Sequence, residues 1–224
     1  MALQFEGQSG VLGQIDTKHR ALRASLRGLD IGSLGAYRAS VITGSIAATL
    51  AANAPLFSLR WTDATRKMLL TRLRAGIIVD GNITTAVPIV LEAVAARGFS
   101  ASDSGGTALT LTGNNNKLDT SMGTTLVGDA RIAGTAALTA GTRTLDSQGF
   151  GMIVGGSGTT AGAQTPAGMT DLFNPRAGEE QPMLFATNEG FIVRSVLTGP
   201  ATGTFRIALD LSWAEMTSYD ATGQ

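Results

Sequence analysis

The only histidine, His19, stands between Lys18 and Arg20. Flanking cations favour the neutral imidazole, which is the form a general base needs. No nucleophile lies near it in sequence, so His19 reads as a solvated surface side chain. One histidine and no cysteine exclude a His-rich or thiolate metal site, a Cys nucleophile and a disulfide framework. Glu179-Glu180 is the one adjacent acid pair considered for acid–base work, in a loop between Pro175 and Pro182. Neighbours on an extended chain point to opposite sides, a poor arrangement for a couple acting across one bond.

The run Ser102-Asp103-Ser104-Gly105-Gly106 echoes the Gly-Asp-Ser-Gly-Gly nucleophile loop of chymotrypsin-like proteases. That loop works only with a histidine base and an aspartate to orient it. Here Ser102 replaces the first glycine, and a flexible Ser/Gly turn is expected. No Gly-x-Ser-x-Gly elbow and no phosphate-binding Gly-x-x-x-x-Gly-Lys loop occurs. Asp63, Asp129, Asp171 and Asp210 are dispersed, and sequence does not say whether they meet. Calcium held by Asp119, Asp129 and the Asn114–Asn116 carbonyls is conceivable, but the spacing matches no EF-hand loop. No catalytic, cofactor-binding or metal-ligating set is therefore expected.

Arg60, Arg66, Arg72 and Arg74 make a locally basic stretch around Trp61. A single-strand nucleic-acid groove would look similar. Arg60 alternates with apolar Leu59 and Trp61, however, so the stretch reads as a polar strand face able to form inter-subunit ion pairs. Lys+Arg and Asp+Glu are both 17, and this balance lacks the broad basic field that nucleic acid requires.

The elements that would position these residues are strands. Tyr37, Ala39 and Val41 alternate with Arg38, Ser40 and Ile42; Phe57, Leu59 and Trp61 with Leu56, Ser58 and Arg60; Leu69, Thr71 and Leu73 with Leu70, Arg72 and Arg74. Period two places each set on one face of a strand. Ser45–Asn53 is Ala-rich and could be a short helix, but reads as strand and turn. Pro88 cannot donate to a ladder, so 86–96 is an edge strand or a strand that begins there. Residues 98–117 and 155–168 are Gly-, Ser- and Asn-rich loops. Phe205, Ile207, Leu209, Leu211 and Trp213 alternate without a break. With the apolar run 191–197 and the Thr198–Gly203 turn residues, they read as an antiparallel hairpin.

The expected fold is all-β: a single antiparallel β-sandwich, with a jelly roll as one form of it. A flexible N-terminal arm is expected over residues 1–19, the sandwich over 20–218 and a C-terminal tail over 219–224. The arm either orders on a partner or is a frayed terminus. Charged residues are only 15% while glycines number 29, a balance that suits packed strands and covered surfaces more than an enzyme. Net charge near zero gives little protection against self-association. The first residues lack a secretory signal, and no apolar run is long enough to span a membrane. Synthesis in the cytoplasm is expected, with the product kept there or packaged from there.

Arg60-Trp61-Thr62-Asp63-Ala64-Thr65-Arg66, Leu111-Thr112-Gly113-Asn114-Asn115, Ser121-Met122-Gly123-Thr124, Asp129-Ala130-Arg131-Ile132 and Asn188-Glu189-Gly190-Phe191 come in the same order in uncharacterised proteins of tailed bacteriophages. The ending Pro200–Phe205 through Trp213-Ala214-Glu215 is similar as well. The chain resembles that family over roughly residues 20–215 and departs from it in 77–94 and 156–180. The resemblance implies a virion-associated β protein and carries over no catalytic residue. It directs the expectation to a non-enzymatic capsid decoration (cement) protein that binds the major capsid protein and itself, with a trimer favoured. A neck, tail, baseplate or spike subunit is the alternative. No cofactor, membrane or specific nucleic-acid partner is expected.

Overall fold

In the computed structural model, the described residues are 14–16, 21–23, 34–47, 49–84, 87–155, 168–175 and 183–217. His19, Glu179, Glu180, the tail at 219–224 and all of the expected arm except 14–16 lie outside them. Among the described residues there is no helix. A separate pair of short strands, β1 (Gln14–Asp16) and β2 (Ala21–Arg23), runs antiparallel.

The rest forms two antiparallel sheets. The front sheet holds β5 (Pro55–Trp61), β7 (Ile89–Arg97), β8 (Thr107–Ala108), β9 (Val127–Ile132), β10 (Thr144–Leu145), β11 (Gly151–Gly155) and β14 (Glu189–Ser195). Its order is β10-β7-β14-β5-β9-β8, with β11 also on β7. The back sheet holds β3 (Gly35–Ile42), β4 (Ile46–Ala47), β6 (Lys67–Val79), β12 (Thr170–Phe173), β13 (Met183–Phe185) and β15 (Thr204–Met216). Its order is β12-β6-β15-β3, with β13 on β6 and β4 on β15. This is the expected all-β sandwich; the strand order does not by itself define a jelly roll.

The strands form because their inner stripes have somewhere dry to go. On β15, Phe205, Ile207, Leu209, Leu211 and Trp213 are all buried, while Arg206, Asp210 and Ser212 face outward with the opposite parity. Phe191 of the front sheet lies 5.7 Å from Phe57 of its own sheet and 5.8 Å from Phe185 of the back sheet. Each such ring contributes roughly 1.5–3 kcal/mol by leaving water. Both open sides of the sandwich are closed. On one, β11 abuts β12 so tightly that a side chain at Gly151 would strike the Leu172 carbonyl, and Phe150 meets Phe173 edge-on at 5.6 Å. On the other, residues 109–126 run from β9 to β3: Leu109 N–H donates to Ala130 O, and Arg38 N–H to Asn116 O.

Two sequence expectations need correction. The run 191–197 and β15 are not a hairpin, because β14 sits between β5 and β7 while β15 sits between β6 and β3. Two strands with large apolar stripes each become central to their own sheet, and the connection is an arch. Its Gly199 N–H donates to Leu50 O, and Thr49 N–H to Pro200 O. Of the two readings offered for 86–96, the strand that begins there is the one found: β7 starts just after Pro88, with β14 on one side and β10 and β11 on the other. Finally, the alternation read across 69–74 slips. A bulge skips Thr71 between the Leu70↔Trp213 and Arg72↔Ser212 pairs. Leu70 and Leu73 thus share the main core, and Leu69 joins Ala214, Met216 and Leu184 in a small cluster of its own. One extra residue inverts the facing on either side of it.

Gly106 illustrates how the loops are held. It has φ +56°, and a Cβ there would collide with the Ile132 carbonyl and the Leu138 side chain. Gly106→Ala is expected to lower unfolding free energy by about 1–3 kcal/mol, read as a shifted midpoint in urea denaturation.

Candidate functional site

The Ser102–Gly106 run, expected as a flexible Ser/Gly turn, is part of an irregular strap, 98–106, built onto the front sheet. Arg60 points away from the core, its stripe neighbours Leu59 and Trp61 being in it. Its guanidinium donates to Phe99 O, to Ser100 O at 2.8 Å, to Ser102 Oγ at 3.3 Å and to Asn188 Oδ1 at 3.2 Å. Ser104 exchanges backbone hydrogen bonds with Thr139, and Ser100 N–H donates to Thr142 O. Beneath this strap Asp103 is buried, accepts from Gly141 N–H at 2.9 Å and pairs with the guanidinium of Arg143. Arg143 lies 5.1 Å from the centre of the fully buried Phe99 ring. Burial pushes the Arg143 pKa down. Asp103 of the Asp-Ser-Gly-Gly run is therefore a buried ion-pair anchor, while Ser104, Gly105 and Gly106 beside it are exposed.

The arginines expected to make inter-subunit pairs have partners within the chain. Arg72 pairs with Asp210 at 2.9 Å and Arg74 with Asp171 at 3.1 Å. The register decides this, since Asp210 and Asp171 lie opposite Arg74 on its two neighbouring strands. Arg66 reaches Asp63 at 3.9 Å. Half-exposed pairs of this kind contribute about 0–1 kcal/mol each. They neutralise the face.

The dispersed aspartates do not converge. Asp63 accepts from Thr65 N–H at 3.0 Å and Arg66 N–H at 2.8 Å, and these hydrogen bonds hold its carboxyl below the ordinary range. Asp119 does the same for Ser121, with the same consequence. Asp129 pairs with Arg131 at 3.1 Å on β9. No cluster of three His, Asp or Glu side chains able to hold a metal ion occurs among the described residues.

A carboxylate missed by sequence reading is the most buried acid of the back sheet. Glu215 is 1% exposed. Its oxygens accept from Leu126 N–H at 3.0 and 3.2 Å, from Trp213 Nε1–H at 3.3 Å and from the Thr125 hydroxyl. The Tyr37 ring stacks on Trp213 at 5.7 Å, and its hydroxyl donates to Gly123 O at 3.1 Å. Burial raises the Glu215 pKa against the pull of these donors. Burial, then the Glu215 charge, pushes Tyr37 up to about 12. A signal was present: Glu215 continues the inward parity of Leu211 and Trp213, so an acid stood in a core stripe.

Two surface features remain. A shallow cleft of about 180 Å³ lies between Leu109, Leu111, Thr124, Thr125, Val127 and Asp129. It is small for a substrate pocket. On the front sheet, Val154 of β11 faces Val90 of β7, and Val196 N–H donates to Val90 O. These three β-branched residues form a cross-strand row whose middle member, Val90, is buried, and Met152 lies on the same face of β11 as Val154. Val154 is 69% exposed, Met152 55% and Leu197 39%.

No family model, curated protein or solved structure matches this chain. The site must speak for itself. Among the described residues, most of the acidic side chains singled out above are committed to internal donors or cations. The exposed large apolar side chains among the described residues are Met152 and Val154 of β11, Leu197, Ile42 at the end of β3 and Leu118.

Proposed function

We propose that this chain is a structural subunit of a tailed-phage virion, acting as a decoration protein that docks on the major capsid protein. The observation that carries the reading is the exposed pair Met152 and Val154, two residues apart on one face of β11, on a sheet whose Arg60, Glu92, Arg97 and Arg194 side chains are turned to internal bonds. Contiguous exposed apolar surface on a stable scaffold marks a contact site. The balanced charge of 17 basic and 17 acidic residues lets copies crowd on a shell without mutual repulsion. A subunit that binds the assembled shell, and not free capsid subunits, stabilises the shell by mass action. Many weak contacts then sum to a large effect.

The test is to mix the purified chain with whole tailed particles that lack it and locate bound density. Density repeated at threefold or capsomer-centre positions is expected, together with a trimer on size-exclusion chromatography. Density confined to the neck, tail or baseplate would assign the alternative role and reject the decoration reading. The double variant Met152→Glu, Val154→Glu is expected to weaken head binding at least about tenfold, or about 1.4 kcal/mol. Its unfolding free energy should stay within about 0.5 kcal/mol of the parent.

A further inference from the structure

The charged and titratable groups nearest Glu215 along the described elements are Tyr37 and Arg38 on β3, Asp63 and Arg66 in the β5–β6 turn, Lys67 on β6, Lys117 and Asp119 in the segment leading to Thr125, and Asp129 on β9. Arg72 and Arg74 of β6, Arg131 of β9 and Asp210 of β15 lie further along and are ion-paired or hydrogen-bonded there. Tyr37 holds Gly123 through its hydroxyl, and Glu215 is the carboxyl group that holds Thr125 and Leu126. It stands on β15, and its acceptors hold the residues that enter β9. We propose that Glu215 is a proton-operated latch: its neutral form holds residues 123–126 against the back sheet, and its ionisation loosens them.

The geometry permits both states. Thr125 Oγ1 is a hydroxyl, able to reverse from donor to acceptor when the acid carries its proton. Leu126 N–H reaches both carboxyl oxygens, so one remains for it in either state. An ionised carboxylate at 1% exposure has lost its water, and among the described residues no cation is hydrogen-bonded to it. That is the costly arrangement. In the opened form the carboxylate is solvated and returns to its ordinary pKa. The closed form, with its raised pKa, therefore takes up a proton on closing. Closure is most favoured below the ordinary carboxylate value, and that advantage is lost as pH rises through the raised value. Asp63, held low, and Tyr37, at about 12, titrate on either side of this window. Opening would uncover Leu109, Leu111 and Val127, which pack against the main core, and would widen the cleft whose wall is Thr124 and Thr125. The inference is independent of any virion role.

Amide exchange and indole NMR of the full chain, from about pH 4 to about pH 8, test it. The Leu126 amide protection factor should fall with rising pH, by up to about tenfold per unit within the window. The Trp213 indole resonance should move with the same midpoint. Glu215→Gln should keep Leu126 protected throughout and abolish the midpoint. A flat wild-type profile, or a Glu215→Gln profile that still titrates, would overturn the latch. Thr125→Val removes one donor to the carboxylate, so its midpoint should move upward. An unmoved midpoint counts against the proposal even where Glu215→Gln does not fold. Asp63→Asn removes a neighbouring negative charge and should move the midpoint slightly downward.

Discussion

Arg143→Met is expected to destabilise the fold by about 3–5 kcal/mol, because it strands the Asp103 carboxylate where no water can reach it. The side chains of Arg143 and Asp103 are 4% and 0% exposed. The pair itself gains little, since desolvating both ions offsets most of their attraction; what costs is leaving one of them alone. Loss of the guanidinium over Phe99 adds a smaller packing and cation–π loss. Asp103→Asn strands the arginine instead and should cost a similar amount, although its carbonyl can still accept from Gly141 N–H. The double variant removes both charges and should recover about 2 kcal/mol or more relative to the sum of the singles. Urea denaturation at constant m-value measures all three. Strictly additive losses would show that the two side chains do not interact, and would remove the anchor from the account of the 98–106 strap.

Phe191→Ala should cost about 3–5 kcal/mol, the range for emptying a packed aromatic site. Phe191 is fully buried on β14, between β5 and β7. Its ring touches Phe57 of its own sheet, Phe185 of the opposite sheet and Phe150 at 6.1 Å. Truncation removes contacts in both sheets at once, and the β14 backbone is held by ladders on both sides, so the hole cannot collapse. Phe150, half-buried at the rim, can be solvated when its neighbours leave, and Phe150→Ala should cost less than half as much. The double variant Phe185→Ala, Phe191→Ala should fall short of the sum of its parts, because one cavity is counted twice. Equal losses for Phe150 and Phe191 would mean that the ring cluster is not the core of the sandwich.

Much of the fold was legible because period-two alternation is a local property. Tyr37, Phe57 and the 205–213 stripe showed their faces directly, and Pro88 marked where β7 begins. Legibility failed where a local pattern had to name a distant partner. The Thr198–Gly203 residues suit a tight turn and an arch equally, and only the competition of β14 and β15 for central places selects the arch. The Thr71 bulge is silent in sequence, since either phase of Leu69-Leu70 reads as a strand. Arg72 and Arg74 read as free for outside partners because Asp210 and Asp171 are about a hundred residues or more away.

By itself, then, the amino-acid sequence determined the all-β character, the apolar stripe of each long strand and the lack of cysteine chemistry. The tertiary structure alone decided which strands are neighbours, that Asp103 meets Arg143, and that Glu215 meets Thr125 across 90 positions. The reason is physical. Side-chain alternation specifies a face, and a face can be buried against any complementary sheet. A buried charge is tolerable only beside one particular donor or counter-ion, and the whole chain must be folded before that donor has a place.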